Sequence, residues 1–200
     1  GIDAVKIQTF EAETVTTKSN LFDMDSTGKI SQYELLKKIE IPKELQLKIV
    51  KYAKDAGIII FSAPSHQKDL ELLEKMNLPA YKIGSDLACH IPLLKQLAKS
   101  SKPLILSTGM CTMDELIDSV GAIIKEGNKQ LVLLHCISDY PTKPDECNLL
   151  AINSMKTTFN IPIGYSDHTI GINACFTASI LGANMIEKHF FDPKNSSGPD

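Results

Sequence analysis

The sequence holds no tryptophan and no long apolar run. Without a stretch of roughly eighteen apolar residues, no transmembrane helix is encoded. Without tryptophan, the commonest platform for stacking a sugar ring is missing. An excess of one charge is lacking too. Lys and Arg number 21 against 24 Asp and Glu, a net −3, which leaves no electrostatic footprint for nucleic acid or an anionic membrane. No two cysteines are spaced C-x-x-C, and the five present (Cys89, Cys111, Cys136, Cys147, Cys175) are odd in number. Free thiols in a reducing compartment are the simplest account. With 43% apolar and 22% charged residues, 11 Gly and 10 Pro, a disordered chain, a collagen and a coiled coil are all excluded. The start, Gly1-Ile2-Asp3-Ala4, has no basic flank and no apolar core, so no secretory signal is visible in it. It lacks methionine and leads straight toward a strand, so a fragment is expected.

What is present is a repeat. Seven β-rich runs occupy residues 4–10 (AVKIQTF), 58–64 (IIIFSAP), 80–86 (AYKIGSD), 103–109 (PLILSTG), 131–137 (LVLLHCI), 162–168 (PIGYSDH) and 184–190 (NMIEKHF). Most are near-continuous apolar runs with polar ends, which suits strands buried on both faces of a parallel sheet. Helical patterns separate them at 44–56, 67–76, 92–98, 113–124, 148–159 and 172–181, and Thr112 with Glu115 reads as a capping box. After a first interval of 54 residues, strand starts recur every 22 to 31 residues, the spacing of a βα unit. The long interval implies an exposed insertion over roughly 11–42. Such units build either an open doubly wound sheet or a (β/α)8 barrel. No G-x-G-x-x-G or P-loop follows the first strand, and almost every strand ends in a candidate ligand group, as barrel sites require. The expectation is therefore a single α/β domain over 1–200, a (β/α)8 TIM barrel whose first strand lies upstream of Gly1.

Alternation along a strand decides which residues share a face. Ser166 and His168 share one, and so do Glu187 and His189. On adjacent strands the two histidines would meet. Two imidazoles with carboxylate or water oxygens suit Mn²⁺, Fe²⁺ or Zn²⁺; hydrogen-bonded core histidines are the alternative. Lys6, Lys82, Ser85 and Ser107 form a second constellation, with point charges and hydroxyl donors fit for a phosphate or carboxylate. A lysine within an apolar strand is costly without a partner. Pairing with rim acids and a Schiff-base role remain open for both lysines. His135 and Cys136 face opposite ways and form no dyad. His66, His90 and residues 23–28 read as surface features.

The motifs KIGS (82–85), LSTGM (106–110), LLHCISDYPT (133–142), GYSDHT (164–169), IEKHF (186–190) and GPD (198–200), with AVKIQTF at the start, occur in one order. In this the chain resembles the N-acetylneuraminate (sialic acid) synthase family, which includes the pseudaminic and legionaminic acid synthases. The resemblance implies a cytoplasmic (β/α)8-barrel enzyme that forms a carbon–carbon bond. Phosphoenolpyruvate would condense with an N-acyl hexosamine such as N-acetylmannosamine, giving a nine-carbon 2-keto-3-deoxy acid and phosphate. A divalent ion, typically Mn²⁺, would polarise the aldehyde. By motif, Lys6, Lys82, Ser85, Ser107, Ser138 and Ser166 would hold phosphoenolpyruvate, and His168 and His189 the metal. Glu187 and Asp200 would be catalytic and contact the sugar, with Tyr140 lining its pocket. The complete protein would be a homodimer.

One departure stands out. The family commonly carries Thr-Pro-Phe-Asp after its third strand, whereas this chain has Ala63-Pro64-Ser65-His66. A hydrogen bond to a charged group, worth about 1.5–3 kcal/mol, is lost unless Ser62 or Ser65 replaces it. Three alternatives follow: a pseudaminic- or legionaminic-type synthase using a diacetamido-trideoxy hexose, a Schiff-base aldolase, and a non-catalytic sugar-binding paralogue.

Overall fold

The computed structural model describes residues 1–24, 28–191 and 194. Two compact units follow one another along the chain, Gly1–Lys82 and Ile83–Asp200.

The first unit runs β1 (Ala4–Thr9), α1 (Ala12–Val15), β2 (Leu21–Met24), β3 (Gly28–Ser31), α2 (Gln32–Ile39), α3 (Lys43–Asp55), β4 (Ile59–Pro64) and α4 (Leu70–Met76), and reaches the start of β5 (Tyr81–Ile83). β1 and β4 are parallel in register from Ala4↔Ile59 to Thr9↔Pro64, and β4 meets β5 at Ser62↔Tyr81. Between them α3 lays Gln46, Val50 and Ala53, at helical spacing, into the core. Its ends suit the helix dipole, with Glu44 in the first turn and Lys54 in the last. The segment read as an exposed excursion is itself built. β2 and β3 form an antiparallel hairpin, and α2 follows, capped by the Ser31 hydroxyl. The Lys43–Glu11 ion pair (2.6 Å) and a bond from the Ala12 amide to Glu40 (3.0 Å) close its base. Residues 25–27 of the 23–28 cluster lie outside the described residues.

The second unit alternates α5 (Ile91–Ala98), β6 (Leu104–Ser107), α6 (Met113–Lys125), β7 (Leu131–Cys136), α7 (Ala151–Thr158), β8 (Ile163–Asp167), α8 (Asn173–Ile180) and β9 (Ile186–Lys188). β6, β7, β8 and β9 are parallel and neighbour one another in chain order. Leu104, Leu106, Leu131, Leu133, Leu134 and Ile163 bury completely or nearly so, as strands covered on both faces require. The Thr112–Glu115 capping box opens α6 as expected, the Thr112 amide donating to Glu115 (2.8 Å). His66 and His90 serve as caps, accepting the amides of Lys68 and Leu93 (both 3.1 Å).

Strands advancing in parallel with helices between them are the βα units of the barrel class read from the sequence. Most elements are shorter than their patterns, and three lose the most. β5 stops at Ile83 rather than 86, because Gly84 leads into a tight 3-10 turn over Ser85–Leu87. α7 begins at Ala151 rather than 148, because Asn148 sits at φ +44, outside helical space. β9 pairs only over Ile186–Lys188, within the expected 184–190.

Candidate active site

Partners across a parallel ladder share a face, and neighbours along a strand alternate. In the first unit Gln8 pairs with Ala63 and Ser62 with Tyr81. Lys6, Gln8, Ala63 and Lys82 therefore share one face, and Thr9, Ser62 and Tyr81 the other. Lys82 is only 2% exposed, so its ammonium demands polar or anionic company. Ser62 cannot replace the missing threonine hydroxyl. The Thr9 hydroxyl donates to Gln46 of α3 and meets Ser62 Oγ, both at 2.7 Å, so Ser62 turns toward the helix. Ser65 is the hydroxyl near the lysine face, accepting from Gln8 Nε2 at 3.4 Å.

In the second unit the register aligns Cys136↔Ser166 and Ser166↔Glu187, with Ser107↔Leu134↔Gly164 one step earlier. Ser107, Cys136, Ser166 and Glu187 thus occupy one face. The Ser166 hydroxyl donates to Glu187 Oε1 (2.9 Å), so its proton is already committed. Two residues beyond this pair stand His168 and His189, with ring centroids 5.1 Å apart. His168 is buried and His189 exposed. His168 Nδ1 lies 2.8 Å from the Ile137 carbonyl. A carbonyl only accepts, so Nδ1 carries the proton and Nε2 keeps its lone pair. Tyr140 completes a cluster of three rings, 4.2 Å from His168 and 5.9 Å from His189, nearly parallel to the latter. The Thr142 amide, donating to the His168 carbonyl (2.9 Å), anchors the loop that carries Tyr140.

Two serines of this unit, Ser85 and Ser138, meet at Gly109. Its amide donates to Ser85 Oγ (3.0 Å). A Cβ there would lie 2.8 Å from both Ser138 Oγ and the Cys136 carbonyl, so only glycine allows the approach. Ser107, two residues earlier, is buried.

The opposite face carries structure. His135 lies within hydrogen-bond reach of the Cys147 carbonyl (2.8 Å) and stacks on Tyr165 at 5.7 Å. Burial pulls its pKa down, against the pull of that carbonyl. Asp167, fully buried, receives the Thr169 amide (3.0 Å), the Cys175 thiol (3.0 Å), the Tyr165 hydroxyl (3.2 Å) and the Lys188 ammonium (2.9 Å). Burial opposes its ionisation, but these donors outweigh it and hold the carboxyl below its usual value.

The structure thus brings together His168, His189 and Tyr140, Ser166 with Glu187, and Ser85 with Ser138 around Gly109. Lys6 and Lys82 share a face of the first unit. Asp200 lies outside the described residues. Among the described residues no group of three or more His, Cys, Asp or Glu side chains converges as a metal shell. The donor set is then two imidazoles, one with its tautomer fixed from behind, leaving the other positions to water or substrate oxygens. That set fits a divalent transition ion. Sequence reasoning missed the Asp167–Lys188 pair, although alternation puts both residues on the face opposite the histidines. It also left Cys136 out of the row that holds Ser166 and Glu187. Cys136 Sγ lies 3.8 Å from His168 Nδ1, so its imidazole neighbour comes from the end of the adjacent strand.

A protein-family model described as the NeuB family matches residues 1–200. An N,N'-diacetyllegionaminic acid synthase of Campylobacter jejuni is 37% identical over the whole chain, and a pseudaminic acid synthase of Helicobacter pylori 38%. The chain spans 62% and 60% of the lengths of these relatives. The crystal structure of an N-acetylneuraminic acid synthetase from Leptospira borgpetersenii, in complex with citrate, matches 98% of this chain and 68% of its own. The TM-score is 0.85 at 29% identity.

Proposed function

The chain belongs to the NeuB family, and on that premise we propose that its protein condenses phosphoenolpyruvate with an N-acyl hexosamine. One water is consumed, and the products are a nine-carbon 2-keto-3-deoxy acid and phosphate. The observation that carries this reading is the β8–β9 register. It sets Ser166 against Glu187, and His168 and His189 one step beyond, on a single face.

His168 and His189 would hold a divalent ion, Mn²⁺ by preference, and when bound the ion would polarise the acceptor aldehyde. Lys6 and Lys82 supply positive charge to the anionic donor, while Ser85, Ser107 and Ser138 supply hydroxyls. The Ile137 carbonyl accepts the Nδ1 proton of His168, which leaves Nε2 as the atom that would be offered to the ion. Glu187, oriented by the Ser166 hydroxyl, offers a fixed carboxylate to the hydroxyls or the transferring proton at the reacting end of the sugar. Tyr140 walls the sugar side of the ring cluster, and we assign Asp200 to the same end.

Two relatives are named for legionaminic and pseudaminic acids, which favours a diacetamido-trideoxy hexose as the second acceptor to try. Among the described residues no helix is long and apolar enough to cross a membrane, in keeping with a cytoplasmic enzyme, and we take the complete protein to be a homodimer. The test is phosphate release from phosphoenolpyruvate, with N-acetylmannosamine and a diacetamido hexose offered in turn. Release that requires both acceptor and metal supports the reading, and the preferred sugar identifies the branch. Borohydride trapping of pyruvate, as its imine, on Lys6 or Lys82 would replace the reading with Schiff-base chemistry. Sugar binding without phosphate release would replace it with the non-catalytic alternative.

A further inference from the structure

We propose that Cys89 and Cys111 form an oxidisable thiol pair that closes to an intramolecular disulfide. Their sulfurs stand 3.3 Å apart, inside the sum of two sulfur radii, with both cysteines reduced. A disulfide needs about 2.04 Å, a further approach of little more than an ångström. The two positions are equivalent in consecutive βα units. Cys89 immediately precedes His90, the cap of α5, and Cys111 immediately precedes Thr112, the cap of α6. The helices they introduce pack against each other. Backbone bonds hold both sites: the Ile91 amide donates to the Cys89 carbonyl (3.0 Å), and the Cys111 amide to the Thr108 carbonyl (3.2 Å).

The other three cysteines are disposed differently. Cys136 and Cys147 are buried. Cys175 donates its thiol to Asp167. Cys89 is exposed and Cys111 half-buried, so an oxidant meets Cys89 first. Burial, with the Cys89 thiol beside it, pushes the Cys111 thiol up to about 12.

The oxidant is a low-molecular-weight disulfide such as oxidised glutathione. Cys89 sulfur, as thiolate, attacks one of its sulfurs, forming a mixed disulfide and releasing one glutathione thiolate. Cys111 then gives its proton to solvent, and its sulfur attacks Cys89 Sγ. The protein disulfide forms as the mixed one breaks, and the second glutathione leaves. Two protein thiols are oxidised and one small disulfide is reduced to two thiols. The bond would fasten together the loops after β5 and β6, which already meet where the Gly109 amide donates to Ser85. It forms whatever reaction the site carries.

The test incubates the whole protein in graded mixtures of oxidised and reduced glutathione. Free thiols are then alkylated and the chain digested with trypsin. The expected product links the peptides spanning residues 83–95 and 100–125, lighter than their sum by two hydrogens. Its share rises with the oxidised fraction and vanishes with dithiothreitol. Cys89→Ser leaves Cys111 open to alkylation, and Cys111→Ser stops Cys89 at the glutathione adduct. Three results would overturn the proposal: alkylation of both residues at every ratio, a glutathione adduct at Cys89 that never resolves in the unmodified chain, or linkage found only between isotopically distinct chains.

Discussion

Replacing Asp167 by Asn keeps the shape of the side chain and removes its charge. The carboxylate is fully buried and gathers donors from Thr169, Cys175, Tyr165 and Lys188. The amide can still accept from Tyr165 and the Thr169 amide, but its NH₂ turns toward the Lys188 ammonium. Breaking a buried ion pair costs about 3–5 kcal/mol, and a hydrogen bond to a charged group about 1.5–3 kcal/mol. The Lys188 side chain is 23% exposed and retains its bond to the Thr169 carbonyl (2.6 Å), which lowers the loss to about 2–4 kcal/mol. With a urea m-value of about 2 kcal/mol/M, the unfolding midpoint falls by about 1–2 M. The pH dependence follows from the depressed carboxyl. Its contribution is present in full above the unfolded value of about 4 and fades as pH falls through the lower folded value. Asp167→Asn should therefore flatten the acid limb of the stability curve below about pH 4. Adding Lys188→Met should recover part of the loss, since the second substitution removes the stranded cation. A variant within about 0.5 kcal/mol of the parent, with an unchanged acid limb, would refute the reasoning.

Gly164→Ala would set a Cβ 2.5 Å from the Met185 carbonyl oxygen and 2.6 Å from a Leu134 methyl. A loss of about 1–3 kcal/mol from overpacking should appear as a lower thermal midpoint. His168→Ala and His189→Ala should each cut Mn²⁺-dependent phosphate release by about a hundredfold or more, several kcal/mol of lost stabilisation. His135→Phe should keep that activity and lose only stability, so inactivity of a folded His135→Phe would move the site to the other face. Lys82→Met should raise the phosphoenolpyruvate KM by about 10- to 100-fold, the equivalent of one charged hydrogen bond. An unchanged KM would remove it from the anion site. Ala63→Thr restores a hydroxyl on the lysine face and should lower the same KM by up to about tenfold, whereas a higher KM would mean that the position is too tight for it.

Much of this arrangement was legible because alternation is strict. Knowing only that Ser166 and His168 share a face, and Glu187 and His189 another, was enough to bring the two rings to 5.1 Å once β8 and β9 proved adjacent. Register was the missing quantity. Without it, Ser62 and Ser65 looked equally able to replace the threonine, although the ladder turns Ser62 toward Gln46. The hairpin β2–β3 escaped because the polar residues in and between its strands read, by composition, as an exposed loop. The Cys89–Cys111 contact escaped for a different reason. Its spacing matches no disulfide or metal motif; it matches the length of one βα unit, and such a match has meaning only after the units are stacked.

The bond from the Thr142 amide to the His168 carbonyl is made entirely by main chain. No replacement at either position removes it, short of proline at 142. The loop over residues 138–142 is therefore a bracket bolted to the end of β8, and Tyr140 is the panel it carries. A panel can be exchanged while the bracket stays true. Chains with this frame are free to vary what stands beside the two imidazoles without disturbing the imidazoles themselves.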